Sequence, residues 1–103
     1  MHAVVNHLPI KEGANWSELI AKFGTFDAAT RKAHPDLLST SVIRTSAAEA
    51  ILVVVYRDSE SLDRISRTIA APWFAENIRP YLSGPVSRSV GEIVAGSGVP
   101  AGG

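Results

Sequence analysis

The sequence contains no cysteine, and this absence excludes several classes of protein at once. It leaves no disulfide framework, no thiolate zinc site and no cysteine nucleophile. The chain also has no excess of charge of either sign, because 10 lysine and arginine residues balance 10 aspartate and glutamate residues. These charges are spread along the chain and form no basic stripe of the kind that nucleic acid or an anionic membrane requires. We therefore expect no nucleic-acid partner and no membrane partner.

Long apolar runs are also missing. No stretch approaches the roughly 20 apolar residues of a membrane span. The start, MHAVVNH, has no positive region before an apolar segment, so we expect no signal peptide. A reducing, cytoplasmic location fits the lack of cysteine. What the sequence does have is 46% hydrophobic content over 103 residues, which is enough for one globular domain with one core.

The first part of the sequence has the pattern of a strand followed by a helix. Ala3–Ile10 is strand-like. Asn15, with Glu18 three residues later, is typical of an N-cap and capping box. The helix that begins there has one apolar stripe at helical spacing and ends before Pro35. The stripe consists of Leu19, Ile20, Phe23 and Phe26.

Two strands, a second helical region and a last strand follow. Leu38–Thr45 and Glu49–Tyr56 are strand-like and joined by a short turn, which predicts a hairpin. Asp58, Ser59 and Glu60 supply a cap and negative charge for a helix start, and Pro72 favours the first turn of a further short helix, PWFAENI. Pro85–Ala95 alternates with a period of two, and charges interrupt its apolar row, which is typical of an edge strand. The second helix has the stripe Leu62, Ile65 and Ile69.

This order of elements predicts the fold class. Two strand-helix-strand halves with right-handed crossovers give a ferredoxin-like βαββαβ fold of the α+β class. Its four strands form one antiparallel sheet, and both helices lie on one face of that sheet. We expect a single domain over residues 1–96. Residues 97–103 are small and are expected to form a flexible C-terminal tail.

The third strand carries information about assembly. Its segment AILVVVY, Ala50–Tyr56, shows no alternation of apolar and polar residues. A continuous apolar run indicates burial on both faces of the sheet. The helices can cover only one of these faces, so a second copy of the same sheet is the simplest cover for the other. The sequence therefore predicts a homodimer packed through its sheet faces.

Several stretches, in their order, resemble a known family. NHLPIKEG, HPDLLSTSVIRT, VVVYRDSESL and APWFAENIRPYL are similar to the antibiotic biosynthesis monooxygenase-like family, whose members are dimeric α+β barrels of about this length. The resemblance spans nearly the whole chain, although Asp36 stands where members often have glycine. Some members of this family oxidise aromatic, polyketide-like substrates with molecular oxygen and without a cofactor. The resemblance implies this activity for the present chain as one expectation.

Other members of the family bind and degrade haem, and here the chain departs from their pattern. Those members use an asparagine on the first strand, a tryptophan at the end of the third strand and a histidine ligand on the second helix. Asn6 stands at the asparagine position, but Tyr56 replaces the tryptophan and Ile78 replaces the histidine. Isoleucine cannot bind iron. The resemblance therefore favours no haem, and we expect no cofactor.

The resemblance also implies candidate catalytic residues, Asn6 and Tyr56. Asn6 and His7 are adjacent on a strand and point to opposite faces. The resemblance directs Asn6 into a pocket between sheet and helices, where its amide would donate to a substrate carbonyl or enolate oxygen. The alternative is an asparagine bonded to backbone or buried water. His7 then faces the partner. The histidines have no metal-ligand spacing, so we expect no metal.

Four more residues are candidate substrate contacts. Arg44 would offset the negative charge of an enolate, although a solvated arginine at a strand end is an open alternative. Neighbouring Trp73 and Phe74 would form an aromatic wall, and Phe23 would add to it from the first helix. The alternative for these rings is ordinary core packing.

Two functions from different classes remain open at this point. One is a cofactor-independent monooxygenase that acts on a small aromatic or polyketide-like molecule. The other is a non-catalytic dimeric module that binds a small ligand. A hydrolase lacks support because no G-x-S-x-G motif occurs. Since one fold hosts both functions, the fold alone does not choose between them.

Overall fold

A computed structural model of the chain describes residues 1–96. The predicted tail, residues 97–103, lies outside this range. The elements in chain order are β1 (His2–Pro9), α1 (Trp16–Ala33), β2 (Leu37–Ser46), β3 (Glu49–Tyr56), α2 (Ser59–Ile65), a π-helical segment (Ser66–Ala70), α3 (Ala71–Asn77), a 3-10 turn (Arg79–Tyr81) and β4 (Ser87–Glu92).

The strands form one sheet in the order β2-β3-β1-β4, and every neighbouring pair is antiparallel. The first and third strands are thus central, as the ferredoxin-like topology requires. The predicted α+β class and four-stranded antiparallel sheet are confirmed. No helix in the described part of the chain is long and apolar enough to cross a membrane.

Both predicted helix starts are present as hydrogen-bonded N-caps. The Asn15 Oδ1 atom accepts a hydrogen bond from the Glu18 backbone N–H at 3.0 Å, and Asp58 Oδ1 accepts one from the Ser61 N–H at 2.8 Å. These bonds satisfy donors that a helix N-terminus leaves without partners. The Glu18 carboxylate accepts from the Tyr81 hydroxyl, so it ties α1 to the segment that precedes β4.

The predicted strand ends of β1 and β2 differ from the structure by one residue, but β4 is much shorter than predicted. It covers Ser87–Glu92 rather than Pro85–Ala95. Its pairing partner is β1, and the first residue of β1, His2, lies opposite Glu92. Beyond this pair the Ile93 N–H donates one more hydrogen bond to the Met1 carbonyl oxygen, at 2.9 Å, and the ladder does not continue in the described residues. The predicted edge position of β4 is confirmed.

The core lies between the helices and one face of the sheet. Directly opposite residues of antiparallel strands share a face, and this face carries Val4 and Leu8 of β1 with Leu52 and Tyr56 of β3. All four are buried. The side chains with the least exposure are Leu8, Ile10, Leu19, Ile65 and Ile78.

The opposite face of the sheet is not covered by any helix of the described chain. It carries Ile51, Val53 and Val55 of β3 with Val5 of β1. Ile51, Val53 and Val5 are only partly buried. One row of β3 packs on the helices, and the other row forms this second face. This accounts for the apolar residues in both rows. The homodimer expected from that pattern stays a prediction.

Asp36, the residue that departs from the family pattern, fastens the loop after α1 to α2. Its Oδ2 atom accepts from the Ser61 hydroxyl at 2.9 Å and lies 3.4 Å from Arg64 Nη2. Its Oδ1 atom lies 2.6 Å from Arg57 Nη1. Ser61 is only 2% exposed, so its hydroxyl depends on this carboxylate for a partner.

We expect Asp36→Ala to lower the melting temperature by about 5–10 °C, which corresponds to about 1–2 kcal/mol for a domain of this size. The cost arises mainly from the buried hydroxyl left without a partner, since the two arginines are largely exposed. Asp63→Ala is a suitable control because its ion pair with Arg67 is exposed at both ends, and it should cost less than about 0.5 kcal/mol. Equal melting temperatures for the two variants would contradict this role for Asp36.

Candidate functional site

A cavity of about 870 Å³ lies between the helix-facing side of the sheet and the segment from α2 to α3. This volume is within the range of roughly 300–1,000 Å³ that is usual for small-molecule sites. Its floor is the surface of β1 and β3, and β4 with the segment before it closes one side. Much of the lining is apolar, from Val4, Leu52, Val54, Phe74, Leu82 and Val86.

Asn6 is a polar side chain on this apolar floor. It lies on β1 in a row with Leu52 of β3 on one side and Arg88 of β4 on the other. The side chain is half-buried, and no side-chain hydrogen bond joins it to another residue of the described chain. Its amide is therefore free to bond a ligand in the cavity. His7 lies on the opposite face and is exposed.

Tyr56 lies at another part of the same lining. It is 2% exposed, and its hydroxyl oxygen is 3.4 Å from Ser66 Oγ on the π-helical segment. Burial raises the pKa of Tyr56 above its ordinary value, and the Ser66 hydrogen bond and the Arg88 charge oppose this only in part. Tyr56 is thus a neutral hydroxyl at neutral pH, able to donate a hydrogen bond.

The cavity also concentrates positive charge. Its lining includes Arg67, Arg79 and Arg88 with a single carboxylate, Asp63. Arg67 Nη2 lies 2.7 Å from Asp63 Oδ1, so these two charges offset each other at the rim. Arg79 and Arg88 remain without a carboxylate in the described part of the chain.

No family model and no curated protein matches the chain, but solved structures do. A candidate antibiotic biosynthesis monooxygenase from Caulobacter crescentus superposes with a TM-score of 0.76 at 18% identity, over 91% of this chain and 90% of that one. SnoaB, a cofactor-independent oxygenase from Streptomyces nogalater, gives 0.73 at 13% identity, over 94% and 96%. Rv0793 from Mycobacterium tuberculosis gives 0.74 at 21% identity, over 93% and 97%. The chain has the fold of the antibiotic biosynthesis monooxygenases. At identities this low, the similarity shows that the fold is shared but does not show that the activity is shared.

In this monooxygenase fold, three of the residues predicted for the site come together. Asn6, Tyr56 and Phe74 all line the large cavity. They reach it from β1, from the end of β3 and from α3. The structure thus places one amide, one neutral hydroxyl and one aromatic ring around the same space.

The other aromatic candidates pack beside the cavity. The Trp73 ring stacks on Phe26 at a centroid distance of 4.1 Å and lies 5.7 Å from Phe23. Trp73 and Phe23 border a much smaller space of about 50 Å³ between α1, α3 and the sheet. They support the wall behind Phe74, and the structure gives them no direct position on the large cavity.

Arg44 is not brought to the cavity. Its guanidinium lies over the Trp16 ring at 4.4 Å from the ring centroid, on the edge strand β2. A ring face attracts a cation in this geometry. The substrate contact predicted for Arg44 therefore has no support from its position, and the arginine beside Asn6 is Arg88.

Sequence reasoning missed Arg88 as a site residue. It was read only as a charge that interrupts the apolar row of an edge strand. The signal that could have found it is the ferredoxin-like pairing of β1 with β4, because Arg88 lies directly opposite Asn6 in that ladder. The pairing register is needed to see this, and a shift of one residue would turn Arg88 to the other face.

The residues of the cavity do not fit haem. The lining that residues 1–96 form contains no histidine, and Ile78 is fully buried in the core with Leu8 and Leu19. A tyrosinate ligand is disfavoured because burial raises the pKa of Tyr56. Within residues 1–96 there is also no group of three or more histidine, cysteine or acidic residues arranged for a metal.

Proposed function

We propose that the protein is a cofactor-independent monooxygenase that acts on a small aromatic or polyketide-like substrate. The observation that carries this proposal is Asn6, an unpaired amide on an apolar cavity floor, with Arg88 directly beside it. Such a pair stabilises an oxygen that becomes anionic during a reaction. The fold shared with SnoaB supports the same proposal.

The proposed reaction is clearest for an anthrone-type substrate. The methylene group across the central ring from the carbonyl loses a proton, and the electron pair moves through the conjugated ring system to the carbonyl oxygen. The Asn6 amide and the Arg88 guanidinium donate to this enolate oxygen, and the Tyr56 hydroxyl offers a further donor in the cavity. The proton passes to solvent, because the described lining has no histidine and its carboxylate, Asp63, is exposed to water at the rim.

Molecular oxygen is the oxidant and is the second substrate. The enolate transfers one electron to it, and the two resulting radicals combine to form a carbon–oxygen bond. The hydroperoxide then loses water and leaves a new carbonyl group. One oxygen atom enters the organic product and the other leaves as water, so the step balances without a further reductant. The protein contributes by positioning the aromatic ring and by stabilising the anion.

A second candidate function is a non-catalytic module that binds a small ligand in the same cavity. The observation that favours it is the lack of a free base, because the described lining has no histidine and its carboxylate is ion-paired. A substrate acidic enough to ionise in water removes the need for such a base. The two candidates therefore differ in whether a bound enolisable compound is oxidised.

The proposed assembly is a homodimer in which the second copy covers the apolar face of the sheet with Val53 and Ile51. Partly buried apolar side chains in the middle of that face support it, because a sheet with one face open to water normally carries polar residues there. The proposed location is cytoplasmic, which the absence of cysteine supports.

Oxygen uptake tests the proposed activity directly. Protein treated with a chelator and incubated with anthrone in an oxygen electrode should consume one oxygen molecule for each quinone formed, at a rate well above that of buffer. Heat-denatured protein is the control for the spontaneous reaction. Tight binding of anthrone without any increase in oxygen uptake would contradict the proposal and would favour the binding module.

A further inference from the structure

We infer that the cavity takes an anionic ligand, namely an aromatic ring with a carboxylate that Arg79 binds at the side of the cavity. This inference rests on the proposed function in two respects: both use the same cavity, and the role of Arg88 at the enolate oxygen leaves Arg79 for the carboxylate. It adds the substrate class, since an anthrone or hydroquinone need not carry a permanent charge.

Most arginines of the described chain have a partner side chain, and two do not. The described chain has seven arginines, and five of them have a carboxylate or an aromatic ring as partner, namely Arg31, Arg44, Arg57, Arg64 and Arg67. The two without such a partner in residues 1–96 are Arg79 and Arg88. Both line the same cavity.

The charge of the cavity differs from that of the whole chain. The chain has a formal net charge of +0, whereas the lining of the cavity has three arginines and one aspartate. After the Arg67–Asp63 pair is set aside, two positive charges are left. Both arginines are exposed, so water solvates them when no ligand is bound, and an anionic ligand would supply a counter-charge that a neutral ligand lacks.

The two free arginines have separate positions. Arg88 lies on the sheet floor beside Asn6 and is assigned above to the oxygen that becomes anionic. Arg79 begins the 3-10 turn between α3 and β4, so it approaches the cavity from another element. A permanent acidic group on the ligand would take Arg79 as its partner, while the ring lies against Val54 and Phe74.

A guanidinium suits this task because its fork of N–H donors matches the two oxygens of a carboxylate. A phosphate monoester presents similar oxygens, so the shared chemistry is an oxyanion on an aromatic ring. Since Arg79 is exposed, solvent and salt will weaken the attraction. We expect a preference of about tenfold rather than the larger effect of a buried pair.

Binding of two matched naphthalenes tests the inference without any need for turnover. The probes are 2-naphthoate and 2-naphthamide, which have the same ring and nearly the same shape but differ in charge. By isothermal titration at low salt, the native protein should bind the naphthoate about tenfold more tightly. Arg79→Gln should bring the two affinities together. Lys32→Gln, which removes an exposed charge on α1, is the control and should leave the preference unchanged.

Three outcomes would overturn the inference. Equal affinity of the native protein for both probes would show that the cavity does not select charge. A preference that survives in Arg79→Gln but disappears in Arg88→Gln would show that Arg79 is not the partner. Tighter binding of 2-naphthyl phosphate than of the naphthoate at about pH 5, where each probe carries about one negative charge, would show that the oxyanion is a phosphate and not a carboxylate.

These results are separable from the test of the monooxygenase activity. If the two naphthalenes bound equally but anthrone caused oxygen uptake, the anionic ligand would be contradicted and the oxygenase activity would still be supported. If the protein preferred the naphthoate but anthrone caused no oxygen uptake, the anion-binding site would be supported and the oxygenase activity would be contradicted.

Discussion

Asn6→Ala should lower turnover of an enolisable aromatic by about 10²-fold or more, the usual loss when one donor to a developing oxyanion is removed. The reason is that the amide faces the cavity and has no other side-chain partner in the described chain. Because no side-chain hydrogen bond joins it to another residue within 1–96, its removal should change the free energy of unfolding by less than about 1–2 kcal/mol. Steady-state oxygen uptake and thermal melting measure the two quantities separately.

His7→Ala is the matched control for this experiment. His7 is the next residue on the same strand, but it is exposed on the opposite face of the sheet. Its removal should act on the proposed dimer interface and leave turnover by the remaining dimer nearly unchanged. If His7→Ala abolished turnover and Asn6→Ala did not, the site would lie on the other face of the sheet.

Val53→Asp should convert the protein from a species of about twice 10.9 kDa to one of 10.9 kDa. Val53 lies in the middle of the uncovered face, between Val5 of β1 and Ser41 of β2. A carboxylate at this position would be desolvated in a dimer interface without a partner, which is far more costly than its exposure in a monomer. Light scattering coupled to size exclusion measures the mass.

Thr25→Asp is the control for the dimer experiment, because Thr25 is exposed on α1, on the other side of the molecule from the open sheet face. It should keep the mass of the native protein. A native protein that is monomeric at micromolar concentration would contradict the dimer directly. So would a Val53→Asp variant that keeps the native mass.

Local signals in the sequence predicted most of the fold. The caps at Asn15 and Asp58 are decided by residues within one turn, so they could be read without tertiary contacts. The apolar stripe of α2 was also local, and Leu62 and Ile65 are indeed buried. The end of β4 could not be read in this way, because it depends on where β1 begins.

The site was predicted only in part, and mostly from the family resemblance. Alternation along β1 puts Asn6 and His7 on opposite faces, and the resemblance selected Asn6 for the cavity side, where the structure has it. Arg44 and Arg88 show the limit of this reasoning. Both are strand arginines, but Trp16 lies next to the first and the cavity next to the second. These neighbours come from distant parts of the chain, so only the assembled sheet distinguishes the two.

Incubation with anthrone under ¹⁸O₂, followed by mass spectrometry of the quinone, tests the central proposal most directly. Oxygenation at a cavity in which Asn6 and Arg88 stabilise the substrate anion predicts one labelled oxygen atom in each quinone formed by chelator-treated protein. The yield of labelled quinone should fall by about 10²-fold in Asn6→Ala. Labelled quinone formed no faster than in buffer, or formed equally by native protein and Asn6→Ala, would contradict the proposal.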